Sequence, residues 1–163
     1  MLTKVKEQFP DVQGVASGAI FSNYQRLRVE NVCQRLGFIS LAYLWLRDQT
    51  ELLDEMIESE MDGRIVKVAC MGLKKVHLGK SILELKPVFT KLKEQFDFNE
   101  CGEGGEYESA VFDCPLFKSK RIQCAQSNIV DLGEGGGQFI EVASLTLNAL
   151  VLEEKDPETI ERH

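Results

Sequence analysis

Nine consecutive residues, Cys101-Gly-Glu-Gly-Gly-Glu-Tyr-Glu-Ser109, hold three carboxylates, three glycines and a phenol. Glycine lets a backbone turn sharply and lie close to a ligand. Carboxylates packed this tightly repel one another unless a cation, a hydrogen-bond donor or a metal compensates them. A carboxylate beside an aromatic ring suits a cationic or quaternary ammonium ligand. Glu103, Glu106, Tyr107 and Glu108 supply the polar groups, while Gly104 and Gly105 permit close approach. The alternative is a solvated acidic turn. The aromatic residue among the acids favours a site.

A second segment, Ser17 to Asn31, places Gly18 and Ser22 at a strand-to-helix turn. Open α/β sheets bind ligands at such turns. Free N–H groups of the following helix, with Arg26 and Arg28 on it, suit an anion. The competing reading leaves Arg26, Arg28 and Glu30 facing water. Trp45-Leu-Arg47-Asp48-Gln49 closes an apolar run at the same kind of edge, although a lone tryptophan is as readily core. Lys67 interrupts Ile-Val-Lys-Val-Ala, either as an edge lysine or reaching a phosphate or carboxylate in the cleft. His77 is either an acid–base group or a loop histidine bonded to backbone. It is the only histidine besides His163, so nothing supports a Ser/His/Asp arrangement, and Cys101 has no base beside it. No CxxC pair occurs, so no structural zinc site is expected.

The elements that must position these residues follow from periodicity and punctuation. Leu2 to Phe9 reads as a short charged helix closed by Pro10, and Val12 to Ala16 as a short strand. Leu27, Val29, Val32, Cys33 and Leu36 recur at helical spacing over Tyr24–Leu36, and Gly37 supplies a left-handed cap. Phe38 to Trp45 is a continuous apolar run expected as a buried strand. Asp48-Gln-Thr-Glu51 marks a helix start, with Leu52, Leu53, Met56 and Ile57 as its buried stripe. Arg64 to Cys70 reads as another strand, so alternating strands and helices imply a largely parallel sheet. Ser81 caps a helix running to Phe96 that Pro87 kinks or splits. Strands are expected over Tyr107 to about Phe112, Arg121 to Val130 and Gln138 to Leu152. Gly133-Glu-Gly-Gly-Gly137 connects the last two. A polar, frayed tail follows from Glu153.

Twenty-six acidic against 19 basic residues give a net charge of −7. That balance excludes a binder of nucleic-acid phosphates, and Lys118, Lys120 and Arg121 read as a solvated strand end. The five cysteines are irregularly spaced within apolar segments, as reduced thiols in a reducing compartment would be. No apolar run reaches transmembrane length and no leader follows Met1, so no membrane association and a cytoplasmic location are expected.

Taken in order, several blocks resemble the diphthine–ammonia ligase (diphthamide synthetase) family. They are Ser17–Cys33, Leu41–Gln49, Ile65–Ala69, His77–Lys80, Cys101–Ser109 and Asp113–Phe117. The likeness runs from about Val12 to Phe117 and is looser beyond. It implies an α/β fold: an incomplete Rossmann-like (adenine nucleotide α-hydrolase-like) parallel sheet, then a mixed α+β substrate-recognition lobe. Residues 1–46 would be the remnant of the nucleotide-binding domain, 47–152 the substrate-recognition domain and 153–163 the polar tail.

The implied reaction is ATP-dependent amidation of diphthine, the modified histidine of elongation factor 2. Adenylation of its carboxylate precedes attack by ammonia, giving diphthamide, AMP and pyrophosphate. By the same resemblance Glu103 and Glu106 are catalytic, binding and deprotonating ammonium. Gly104, Gly105, Tyr107, Glu108, Trp45 and Arg47 meet diphthine, whose trimethylammonium suits Tyr107 and the glutamates. Gly18, Ser22, Gln25 and Arg26 face ATP, with Mg2+ accompanying the nucleotide and no protein metal ligand expected. The family's Ser-Gly-Gly-Lys-Asp-Ser phosphate loop does not occur in these residues. The expectation is therefore an N-terminally shortened chain, inactive or impaired alone. The alternative is a non-catalytic form that at most binds elongation factor 2.

Overall fold

The computed structural model describes residues 1–135 and 140–156. The chain divides into two compact units, Met1–Asp48 and the residues from Gln49 onward. The first unit contains α1 (Leu2–Gln8), β1 (Gly14–Ala16), α2 (Asn23–Leu36) and β2 (Ile39–Leu41). β1 and β2 are parallel, with Gly14 opposite Ile39 and Ala16 opposite Leu41. Both ends of α2 are set by local chemistry. Ser22 Oγ accepts from the Gln25 N–H at 3.3 Å, and Gly37 adopts the expected left-handed conformation at φ 71°.

The apolar run from Phe38 to Trp45 is not a buried strand. β2 stops at Leu41, because its partner β1 ends at Ala16 and the chain then turns at Ser17–Gly18. Beyond that point the backbone has no ladder to join. Tyr43 is 77% exposed, and Leu46 turns left-handed at φ 60° while its N–H donates to the Ile20 carbonyl at 2.9 Å.

The second unit contains α3 (Gln49–Glu58), β3 (Asp62–Val68), a 3-10 turn (Lys75–His77), α4 (Ile82–Phe96), β4 (Tyr107–Asp113), β5 (Lys120–Gly135) and β6 (Ile140–Glu154). Its sheet has the order β4-β3-β6-β5. β3 is antiparallel to both neighbours, and β5 to β6. The expected largely parallel sheet is thus limited to β1 and β2. Apolar periodicity locates a strand but carries no information on the direction of its neighbours. Here the loop after α4 brings β4 back alongside β3 in the opposite sense. The fold is mixed α/β, a two-stranded parallel sheet and a four-stranded antiparallel one.

α4 starts with the full reciprocal cap. Ser81 Oγ accepts from the Glu84 N–H at 3.2 Å, and Glu84 Oε2 from the Ser81 N–H at 2.8 Å. The helix runs unbroken through Pro87, whose missing N–H falls in the second turn against the exposed Leu83. Its apolar stripe, Ile82, Leu85, Phe89 and Leu92, packs with Leu53, Ile65, Val68, Leu73, Phe98, Tyr107 and Ala143 to form the core. Glu153 and Glu154, expected in the tail, are the last residues of β6 and pair with Arg121 at 2.7 Å and Lys120 at 2.9 Å. The glycine-rich connection after Gly135 and the tail beyond Asp156 lie outside the described residues. All five cysteines are free thiols.

Candidate functional site

Asp97, left-handed at φ 53°, ends α4 and returns Phe98 to the core against Phe89. The following loop closes through two short turns. The Gly102 N–H donates to the Asn99 carbonyl at 2.8 Å, and the Gly105 N–H to that of Gly102 at 3.0 Å. Both glycines have positive φ, 71° and 87°. Gly104 is required for another reason: a Cβ there would lie 2.6 Å from Glu106 Oε1 and 2.9 Å from Asn99 Nδ2. The glycines therefore let the loop close over its own side chains.

Beneath them runs a chain of amides. Gln49, 8% exposed at the start of α3, accepts from the Cys101 N–H through Oε1 at 3.0 Å. Its Nε2 donates to Asn99 Oδ1 at 2.9 Å. Asn99 Nδ2 then donates to Glu106 Oε1 at 2.5 Å, and the Asn99 backbone N–H approaches the same oxygen at 3.3 Å. Glu106 Oε2 is buried with no hydrogen-bond partner among the described residues. Beside this chain Glu100 is 1% exposed, accepting from Thr50 Oγ1 at 2.5 Å and pairing with Lys93 Nζ at 2.9 Å.

Tyr107 lies in the core rather than on a ligand-facing surface. Its ring stacks on Phe89 at 5.0 Å and lies 6.2 Å from Phe98, and its hydroxyl donates to the Glu100 carbonyl at 2.6 Å. Burial raises its pKa, with Cys101, Glu106 and Glu100 adding to the effect. The first residue of β4 points inward and covers Phe89, leaving Tyr107 8% exposed. Glu108, next along the strand, points outward and pairs with Lys67 Nζ at 2.6 Å. An irregularity between Ile65 and Lys67 sends Lys67 outward and Val68 inward, which resolves the interrupted apolar strand. Lys67 stands on a central strand and reaches a carboxylate of this chain. Glu103 is half-exposed on the loop, and Gly105 is exposed.

Cys70 adjoins the site, its thiol pushed up to about 11 by burial, opposed by a backbone hydrogen bond at Leu73 and reinforced by Glu106. It is a neutral thiol at physiological pH, not a nucleophile. His77 Nδ1 accepts from the Lys74 N–H at 2.9 Å, in line with the backbone-bonded reading. Among the described residues no group of His, Cys, Asp and Glu could hold a metal ion.

In the first unit, Gly18 and Ser22 lie between β1 and α2 as expected. A Cβ at Gly18 would meet nothing, and Ser22 caps the helix. The fold brings Arg26 and Trp45 together: the guanidinium lies 4.5 Å from the ring centroid and pairs with Glu30 at 2.6 Å. Gln25 is exposed on the first turn of α2, and Arg47 is half-buried. No helix among the described residues is long and apolar enough to cross a membrane.

Sequence reasoning passed over Gln49, Asn99 and Glu100 as site residues. Gln49 closed a recognised block, but Asn99 and Glu100 sit between two blocks with no periodicity to flag them. Comparison with known proteins places this geometry in context. A family model of the diphthamide synthase C-terminal domain matches residues 48–145. The diphthine–ammonia ligase of Rattus norvegicus is 45% identical over 155 residues, 94% of this chain and 57% of that protein. That of Homo sapiens is 44% identical over 155 residues with the same coverage. In Schizosaccharomyces pombe the relative of that name is 44% identical over 142 residues, 87% of this chain and 23% of its own length. The chain thus spans little more than half the length of the mammalian relatives and under a quarter of the fission-yeast one.

Proposed function

The chain belongs to the diphthamide synthase C-terminal domain family, and from that premise we propose that it is part of a diphthine–ammonia ligase. The substrates would be ATP, ammonium and elongation factor 2 carrying diphthine. The carboxylate of diphthine would displace pyrophosphate from ATP to form an acyl-adenylate. Ammonia would then attack the acyl carbon, expelling AMP and leaving the amide.

The observation that carries this reading is the half-buried carboxylate of Glu106, held at Oε1 by Asn99 and left with a buried, unpartnered Oε2. An acceptor of this kind suits a cation that must lose a proton before it can act as a nucleophile. Glu106 would bind ammonium and take its proton, with Glu103 beside it on the loop. Gly104 and Gly105 would allow diphthine to approach, and Glu108, Trp45 and Arg47 remain further proposed substrate contacts. Tyr107 would contribute by fixing the loop on the core. Gly18, Ser22, Gln25 and Arg26 would face ATP in an adenine nucleotide α-hydrolase-like domain to which residues 1–46 belong. Residues 47–152 would recognise the substrate. Mg2+ finds no cluster of protein ligands among the described residues, so no step is assigned to it. A cytoplasmic site of action accords with the free thiols.

The test is a chimera in which this chain replaces the matched segment of the Rattus norvegicus relative. Amidation of diphthine-bearing elongation factor 2 is expected, and Glu106→Ala should lower it by about 100-fold or more. A folded, ATP-binding chimera that forms no diphthamide would overturn the proposal.

A further inference from the structure

We propose that Gln49 and Asn99 are positioning residues that aim the Glu106 carboxylate, satisfying Oε1 and leaving Oε2 to accept an N–H from ammonium. The inference rests on the reading of this loop as the ammonia side of the amidation site, and it names the atom and the two residues that set it.

The direction of the hydrogen-bond chain is fixed at its origin. A backbone N–H can only donate, so the Cys101 nitrogen assigns the oxygen of the Gln49 amide to itself at 3.0 Å. The amide nitrogen of Gln49 must then face Asn99, which meets it with Oδ1 at 2.9 Å. That turns Asn99 Nδ2 onto Glu106 Oε1 at 2.5 Å. Each amide orientation follows from the one before, and the chain ends on a carboxylate oxygen that also receives the Asn99 backbone N–H.

The other oxygen is left as a buried acceptor without a donor. Burying it unpaired costs free energy that a donor would recover. Whatever donates must be small, because Oε2 is closed off from solvent and leaves no exposed surface for a bulky group to cover. It should also be cationic, because the acceptor is a carboxylate next to a neutral Cys70 thiol. Ammonium meets all three demands. A quaternary ammonium has no N–H to give and is too bulky, so Glu106 is not the residue that recognises the trimethylammonium of diphthine.

The experiment titrates the full 163-residue chain with ammonium chloride, following the side-chain amides of Gln49 and Asn99 by proton–nitrogen NMR. Potassium and tetramethylammonium chloride at equal ionic strength are the controls. A saturable shift with ammonium alone is expected, absent in Glu106→Gln. Gln49→Glu and Asn99→Asp, which change one NH2 to oxygen at constant volume, should weaken it about tenfold or more. In the chimera, Gln49→Glu should raise KM for ammonium by a similar factor and leave KM for ATP unchanged, which a merely structural role would not do. A response equal in potassium, no response, or wild-type affinity in both amide variants overturns the inference. Should those variants unfold, the wild-type titration against Glu106→Gln decides it alone. A persistent ammonium response in a chimera that forms no diphthamide would remove the ligase reading and leave this one standing. Loss of the response in an active chimera would do the reverse.

Discussion

Asn99 Nδ2 and Glu106 Oε1 meet at 2.5 Å directly under Gly104, whose missing side chain is what lets them meet. Gly104→Ala should therefore displace the carboxylate and lower amidation by the chimera about 100-fold, the usual cost of a misplaced catalytic group. Gly105→Ala is the control. Its φ of 87° makes an alanine strained by about 1–2 kcal/mol, but the new Cβ meets nothing. Equal activity loss in the two variants would show that Gly104 serves only the turn.

Tyr107→Phe keeps the stack on Phe89 and deletes the 2.6 Å hydrogen bond to the Glu100 carbonyl. Stability in urea is expected to fall by about 1–2 kcal/mol, with KM for the diphthine substrate unchanged. An unaltered midpoint together with a raised KM would place the hydroxyl against substrate.

His77 should make stability depend on pH. Burial lowers its pKa first, and Lys80 and Lys74 lower it further. Its Nδ1 must be unprotonated to accept from the Lys74 N–H. The unfolded chain then binds the proton more readily than the folded one, so this contribution is complete above the ordinary histidine pKa and is lost as pH falls from there through the lowered folded value. The urea midpoint of the wild type should drop between about pH 7.5 and 5.5 by more than that of His77→Ala. Parallel profiles would rule the histidine out as the source.

Cys70 should resist alkylation. With its pKa pushed from 9.0 to about 11, the thiolate fraction below pH 9 falls about a hundredfold. Peptide mapping after iodoacetamide at pH 8 should find Cys124, on the long β5–β6 ribbon, labelled well before Cys70. Labelling of Cys70 first would mean that its surroundings open in solution.

Much of this protein was readable before any coordinates. The caps of α2 and α4 follow from Ser22, Gly37, Ser81 and Glu84, because capping is a contact between residues three or four apart. The strands after the acidic loop, and the hairpin joining the last two, were legible from composition and glycine punctuation, and the family from the order of its blocks. The glycine–glutamate loop could be singled out from composition, with three carboxylates, three glycines and a tyrosine within nine residues.

Tertiary structure alone decided which of those residues face outward. β2 was cut short by the three-residue length of β1, and β3 turned antiparallel because of where the chain returned after α4. Lys67 found Glu108 across 41 residues, and Gln49 found Asn99 across 50. Tyr107 went to the core because Phe89 and Phe98 were there to be covered. These are contacts between residues far apart in the chain. Local propensity and spacing carry no record of them, so a loop could be recognised from its composition while the acceptor atom within it could not.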